Sequence, residues 1–273
     1  MTTPDRDVLK QTFDGVAEMY DSARPDYPPA LFDDLADLAD LDPSSSILEI
    51  GCGTGKATMP LAERGFNIRC LEPGANLAAL ATRKLAQFPH VHVTPEPFET
   101  WDAQGSKFDL IFAATSWHWI DPETRYSKAA SLLGPRGHLA FFNARHAFPR
   151  DVDPFFLELQ EVYNSIGYGA VEAWIPGYDT WPPLPPEEIP DEGDEITGSG
   201  LFVHVQVRRY VWELVYDADE YLRLLDTFSG HIAMEPKTRA FLYDEIRQRI
   251  EARPEKRVRR HWLAVLHVAR RTP

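Results

Sequence analysis

Cysteine is scarce in this chain and long apolar runs are missing, and each shortage removes a class of protein. Two cysteines among 273 residues, Cys52 and Cys70, cannot build a disulfide framework or a thiolate metal centre, so both are expected to be small buried thiols. No stretch is long and apolar enough to cross a bilayer, and Met1 to Lys10 is polar and charged, so the expected location is the cytoplasm. Positive charge is also in short supply. With 28 Lys and Arg against 42 Asp and Glu, the net charge of −14 repels polyanions, which argues against nucleic acid or an anionic membrane as partner. The one basic cluster, Lys256, Arg257, Arg259 and Arg260, is short and reads as a solvated face. Neither an internal repeat nor a His, Asp and Glu cluster with ligand spacing is present, so no metal is expected.

What the chain does have is concentrated between Ile47 and Glu72. Ile47 to Ile50 is a short apolar run suited to a buried parallel strand, and Gly51, Gly53 and Gly55 then make a turn without side chains, with a helix starting near Lys56 and running to Arg64. Asn67 to Leu71 reads as a second strand closed by Glu72, whose carboxylate can accept two hydrogen bonds from ribose hydroxyls. A bare turn beside such an acid suits a nucleoside.

Spacing decides which nucleoside. A dinucleotide fingerprint started at Gly51 or Gly53 needs its third glycine where Lys56 or Thr58 stands. A phosphate loop needs glycine at Ile50 and Ser or Thr at Ala57. Both frames fail. The remaining pattern, Glu49-Ile50-Gly51-Cys52-Gly53-Thr54-Gly55, resembles the first motif of the class I S-adenosylmethionine-dependent methyltransferases, small-molecule type, of the trans-aconitate and ubiquinone-pathway kind. The segments Phe13 to Pro28, Trp117-His118-Trp119 and Tyr216 to Ser229 are also similar to these enzymes, so the resemblance covers most of the chain.

Alternation of strands and helices points to an α/β fold, a Rossmann-like doubly wound sheet. Further strands are expected at Val91 to Val93, Phe108 to Ala113 and His138 to Phe142, the last introduced by the turn Gly134 to Gly137. Helices are expected at Leu77 to Gln87, Glu123 to Leu133, Ala218 to Phe228 and Pro236 to Ile250. Strands at Phe202 to Val215 and Trp262 to Ala269 complete a seven-stranded, mostly parallel sheet of the type the resemblance implies. The organisation is a single domain: a helical lid over 1–44, a cofactor-binding core over 45–143, a substrate-side insertion after strand five over 144–200, and C-terminal strands and helices over 201–273. Within the insertion, Trp181 to Glu195 is too rich in proline and acids for a regular element.

The resemblance implies S-adenosylmethionine as cofactor and S-adenosylhomocysteine as product. It assigns cofactor contacts to Tyr20 and Arg24 on the lid, to Glu49, Gly51, Cys52, Gly53 and Gly55 in the first motif, and to Glu72 and Pro73. Glu96 and Phe98 after strand three and Ala113, Ala114 and Thr115 at the end of strand four complete the set. Arg24 would grip the methionine carboxylate, or alternatively pair with Asp21 or Asp26 on a surface helix. Trp117, His118, Trp119, Trp174 and Tyr178 are the candidate acceptor wall, with the aromatic rings either facing the sulfonium or packing the sheet edge. Catalytic candidates are Tyr20 and His118, the latter as a positioning group, a general base or a turn histidine. His146 and His231 are spare candidates for proton work, and Glu99 is expected to cap the turn that follows it.

Aligning nucleophile, methyl carbon and leaving sulfur can lower the barrier by about 7–11 kcal/mol without proton chemistry. A base is needed only for an acceptor that is protonated at neutral pH, where it adds about 10²–10⁴-fold. The expected activity is methyl transfer to a small organic acceptor, first of all an oxygen nucleophile, by a monomer or homodimer. The alternatives are a methyltransferase acting on tRNA or another macromolecule and a non-catalytic protein that binds the cofactor.

Overall fold

In the computed structural model, residues 14–15, 17–168 and 183–273 are described. Two helices, α1 (Ala17–Ala23) and α2 (Pro29–Leu38), precede the sheet. Then come β1 (Ser46–Ile50), α3 (Thr58–Glu63), β2 (Asn67–Leu71), α4 (Ala75–Leu85), β3 (Val91–Thr94), β4 (Phe108–Ala114), a 3₁₀ turn at Trp117–Trp119, α5 (Arg125–Leu132), β5 (Leu133–Phe142) and β6 (Ala144–Ala147). The chain continues through α6 (Phe155–Ser165), α7 (Gly193–Gly198), β7 (Phe202–Tyr216), α8 (Ala218–Leu225), α9 (Ser229–Ile232), α10 (Pro236–Glu251) and β8 (Val258–Arg271).

Strands β3-β2-β1-β4-β5 are parallel, and β8 lies antiparallel to β5 with β6 and β7 both paired to it. Eight strands replace the expected seven, for a simple reason. Phe141 faces His267 and Ala144 faces Ala264, so β6 keeps the register of β5 against β8. It is β5 prolonged past a break at Asn143, beyond the point where β4 stops at Ala114 opposite Phe142. The turn Gly134 to Gly137 is carried inside β5 as a bulge, between the pairs Phe108–Leu133 and Leu110–His138.

Buried parallel strands need apolar side chains on both faces, and β1 shows why. Ile47 packs toward Leu31, Phe32 and Leu61, whereas Leu48 and Ile50 pack toward Ile111, Ala113 and Phe141. Another cluster gathers α6, α8 and α10 around Phe155, Tyr221, Leu242 and Trp262. Helix α8 is fixed at its start by a capping box, Asp217 accepting from Glu220 N while Glu220 accepts from Asp217 N.

The basic cluster is not uniformly solvated. Strand alternation turns Arg260 inward, where it is 3% exposed and lies 4.6 Å from the Trp262 ring, while Arg259 faces outward to Asp151 and Glu213. The proline-rich segment likewise ends in the short helix α7. Trp174, Tyr178 and Trp181 lie outside the described residues.

Candidate functional site at the carboxyl ends of the parallel strands

In an open parallel sheet a ligand site forms where strand ends and the helices that follow leave a crevice. Here that crest is built by the loops after β1, β2 and β4. Gly51 N and Cys52 N donate to Leu71 O at 2.8 and 3.2 Å, which folds the glycine turn down onto the end of β2.

The turn's glycines serve different ends. Gly51, at φ +66°, is required by packing, because a Cβ there would stand 2.6 Å from Ser116 Cβ. Gly53, at φ +56°, has open space instead: an added Cβ would meet nothing within 4 Å. That opening is where a ligand can lie against backbone. Gly55 approaches the Leu85 side chain of α4, so its role is helix packing.

Glu72 closes the same crest. Its Oε2 accepts from Gly53 N and its Oε1 from Gly74 N, each at 2.8 Å, so the carboxylate is braced by backbone on both sides. Burial pushes its pKa up while these two donors pull it down. Each oxygen retains a second lone pair, as a ribose diol requires.

Glu49 is placed differently from the expected cofactor contact. It is fully buried beneath the turn, where its Oε2 accepts from Thr58 Oγ1 at 2.6 Å and its Oε1 has no hydrogen-bond partner. Burial drives its pKa up to about 7, with Glu72 adding to the shift and Thr58 opposing it. Cys52 and Cys70 are free and buried beside it. The neighbouring Cys70 thiol and burial hold the Cys52 thiol well above its usual pKa, so it is protonated and not a nucleophile.

Helix α1 is tied directly to this crest. Asp21 Oδ1 accepts from Thr54 Oγ1 at 2.6 Å and pairs with Lys84 Nζ at 2.5 Å. Just before α1, Asp14 Oδ1 accepts from Asn76 N and Leu77 N at 2.7 and 3.1 Å, covering the start of α4 next to Glu72. Arg24 pairs with neither Asp21 nor Asp26. Its Nε donates to Thr227 Oγ1 and its Nη2 to Thr227 O, both at 2.8 Å, and its guanidinium lies 4.1 Å from the Phe228 ring. The Tyr20 ring lies 5.1 Å from the same guanidinium.

Beyond β4, Thr115 adopts φ +57° and its Oγ1 accepts from Ala144 N at 3.2 Å while lying 3.3 Å from Tyr27 Oη. Ala114 and Thr115 are half-buried at the crest, whereas Ala113 is fully buried and can offer only backbone. Trp117 belongs to the core and not to a pocket wall: it is 0% exposed and stacks on Phe141 at 5.2 Å. His118 and Trp119 are half-buried with ring centroids 4.9 Å apart, and His118 Nδ1 lies 3.1 Å from Asn143 Oδ1. After β3, Glu96 and Pro97 are exposed, and Pro73 after β2 is exposed too. Phe98 is 2% exposed with its ring in the core, so only its backbone can serve a ligand. Glu99 caps no turn directly after itself; it accepts a long bond from Asp121 N at 3.4 Å.

The spare histidines are both buried. His231 sits 3.0 Å from Tyr163 Oη through Nε2, and desolvation drives its pKa down to about 3. Burial likewise holds His146 well below the ordinary imidazole range. Neither is poised to take a proton at neutral pH. Sequence reasoning missed Thr54, Thr58, Asp21, Asn143 and Thr227, whose roles depend on partners 9 to 203 residues away. Among the described residues no group of three potential metal ligands comes together.

Residues 48–139 match the family of methyltransferase domains, and the match spans β1 to β5 with the glycine turn and Glu72 inside it. This segment is therefore similar to methyltransferase domains over the part of the chain that carries the turn and the acid. An uncharacterised methyltransferase of Mycobacterium tuberculosis is 31% identical over 139 residues, which are 51% of this chain and 54% of that protein. A malonyl-[acyl-carrier protein] O-methyltransferase of Ilyobacter polytropus is 33% identical over 99 residues, 35% of this chain and 37% of its own length. The chain thus spans about half the length, or less, of these curated relatives. The fold extends further. A solved structure described as a type II methyltransferase of Anaeromyxobacter dehalogenans superimposes with a TM-score of 0.62 at 24% identity, covering 90% of this chain and 97% of that one. No helix among the described residues is long and apolar enough to cross a membrane.

Proposed function

We propose that this protein transfers the methyl group of S-adenosylmethionine to a small organic acceptor, with an oxygen atom as nucleophile. The observation that carries the reading is the pairing of the open Gly53 turn with the backbone-braced Glu72 carboxylate beneath the docked lid helix α1. These residues fit a sulfonium nucleoside. Glu72 would take the ribose hydroxyls, the Gly51 to Gly53 backbone would hold the methionine part, and the Phe98 amide and Ala114 would serve the adenine and the sulfur end. When bound, the donor supplies an electrophilic methyl carbon.

The chain's own contribution is alignment and exclusion of water. Thr115 meets Tyr27 at the crest and accepts from Ala144 N, and His118 faces Asn143 just before Ala144; an acceptor would approach in line there, while Asp14 and Asp21 fasten α1 to the β1–β2 side. The O-methyltransferase activity in the name of the Ilyobacter relative supports oxygen as the receiving atom. Calorimetry with S-adenosylhomocysteine, followed by a screen of alcohols, phenols and carboxylic acids with radiolabelled donor, tests the proposal. Labelled methyl ether or ester is expected; binding without turnover across the panel would reduce the protein to a cofactor-binding role.

A further inference from the structure

The two edges of the sheet are finished differently. At one end β3 has only four residues, with Pro89 before it and Pro95 and Pro97 after it, so it offers little backbone to another strand. At the other end β7 runs for 15 residues with neither proline nor glycine, and among the described residues only β8 pairs with it. A bulge interrupts β7 between Val203 and Gln206, where His204 stands at φ +55°, but from Gln206 to Tyr216 every residue opposes one of β8. The outer edge of that regular run is a template for a further strand. Apolar side chains gather on it: Val211, Leu214 and Val215 are three of the five large apolar residues that are exposed among the described residues.

A second copy of this chain fits that edge. A two-fold axis normal to the sheet keeps each residue on its own face, so opposed residues must be an even number of positions apart along the strand. Placed at Val211, the midpoint of Gln206 to Tyr216, the axis pairs the whole regular run with its equivalent. Val211 then meets Val211, Tyr210 meets Trp212, Val207 meets Val215, and Arg209 meets Glu213 on both sides of the axis. Moving the axis by one residue sets Val207 or Val211 against Glu213; moving it by two sets Arg209 against Arg209 or Glu213 against Glu213. Both charged groups can reach across. Arg209 touches Asp191 at 3.3 Å and Glu213 touches Arg259 and His261 at 3.4 Å, and their side chains stay 31% and 51% exposed.

We propose that the protein is a homodimer joined through its β7 strands, antiparallel about Val211, with one sheet continuous across both copies. This goes beyond the methyltransferase reading and does not depend on it, because β4, β5 and β8 separate β1 from β7.

Sedimentation velocity of the full chain over a micromolar concentration series tests the proposal. Wild type should sediment as a dimer. Val211→Lys, which sets like charges face to face on the axis, should raise the dimer dissociation constant about tenfold or more, with circular dichroism and S-adenosylhomocysteine affinity unchanged. Arg209→Glu alone should weaken the dimer, and adding Glu213→Arg should restore it. Val211→Cys reads the register: on mild oxidation the two axial thiols should join the copies covalently, whereas Leu214→Cys, opposite Arg208, should not, and the native Cys52 and Cys70 are buried. Should Val211→Lys not fold, the charge swap and the cross-link decide. A wild-type chain that stays monomeric across the series overturns the proposal and leaves the edge to a different strand. A dimer that survives Val211→Lys, or that does not cross-link through Val211→Cys, overturns it as well, because the contact then lies elsewhere or in another register.

Discussion

The two ends of the crest are made of different material. On the β1–β2 side the candidate nucleoside site is mostly backbone: Gly53 N and Gly74 N brace Glu72, and Leu71 O receives Gly51 N and Cys52 N. Elsewhere the contacts are side chains drawn from far apart, Arg24 on Thr227 and His118 on Asn143. A backbone site tolerates few sequences and leaves its mark as spacing. A side-chain site can be rebuilt by many.

Four measurements would break or sharpen that contrast. The largest effect should separate two glycines in one turn. Gly53→Val should weaken S-adenosylhomocysteine about 10²-fold or more while circular dichroism stays native, because its Cβ has room at an added strain of about 1–2 kcal/mol. Gly51→Val should lose several kcal/mol of stability in urea titration, since its Cβ collides with Ser116. Equal behaviour of the pair would erase the distinction between a packing glycine and a ligand glycine.

Next comes pH. Burial raises Glu49 above the 4.5 of a free glutamate to about 7, so the folded state holds a proton that the unfolded chain has released between those values. Stability from this group is full below about pH 4.5 and is lost as pH rises through 7. Glu49→Gln, which keeps an acceptor for Thr58, should therefore stabilise the protein on the order of 2–3 kcal/mol at pH 8 and little at pH 4.5. His231 has the opposite sign. Its pKa falls from 6.5 to about 3, so the unfolded chain binds the proton first and stability drains as pH falls through that window. His231→Gln should flatten the acid limb, and thermal melts from pH 4 to 8 on both variants check the two slopes.

A smaller effect is expected where Arg24 of α1 meets Thr227. Thr227→Val removes the hydroxyl that accepts from Arg24 Nε but leaves the carbonyl, and should cost about 1–2 kcal/mol in urea unfolding. Smallest of all is the contact of Asp21 with Thr54 and Lys84. Asp21→Ala should speed cofactor dissociation a few-fold in stopped flow, since Asp21 is part-exposed and Asp14 still holds α4.

What the sequence disclosed follows the same division. Ile47 to Glu72 could be read because a buried parallel strand, a side-chain-free turn and a strand-end acid have fixed spacings. The sheet was legible too, apart from β6, which Asn143 severs from β5 without changing register. Trp117 misled because a tryptophan beside a crest histidine looks like a wall, yet the preceding turn rotates it onto Phe141. Arg260 misled because a run of basic residues hides strand alternation. Thr58 and Thr227 were invisible, since neither carries a local pattern and each acts through a distant partner.

The account stands or falls on Glu72. Calorimetry of S-adenosylhomocysteine against wild type and Glu72→Ala is predicted to give one site per chain in the first and at least about tenfold weaker binding in the second, with adenosine losing affinity in parallel. Wild-type affinity in Glu72→Ala, or no binding to the wild-type chain, would contradict it.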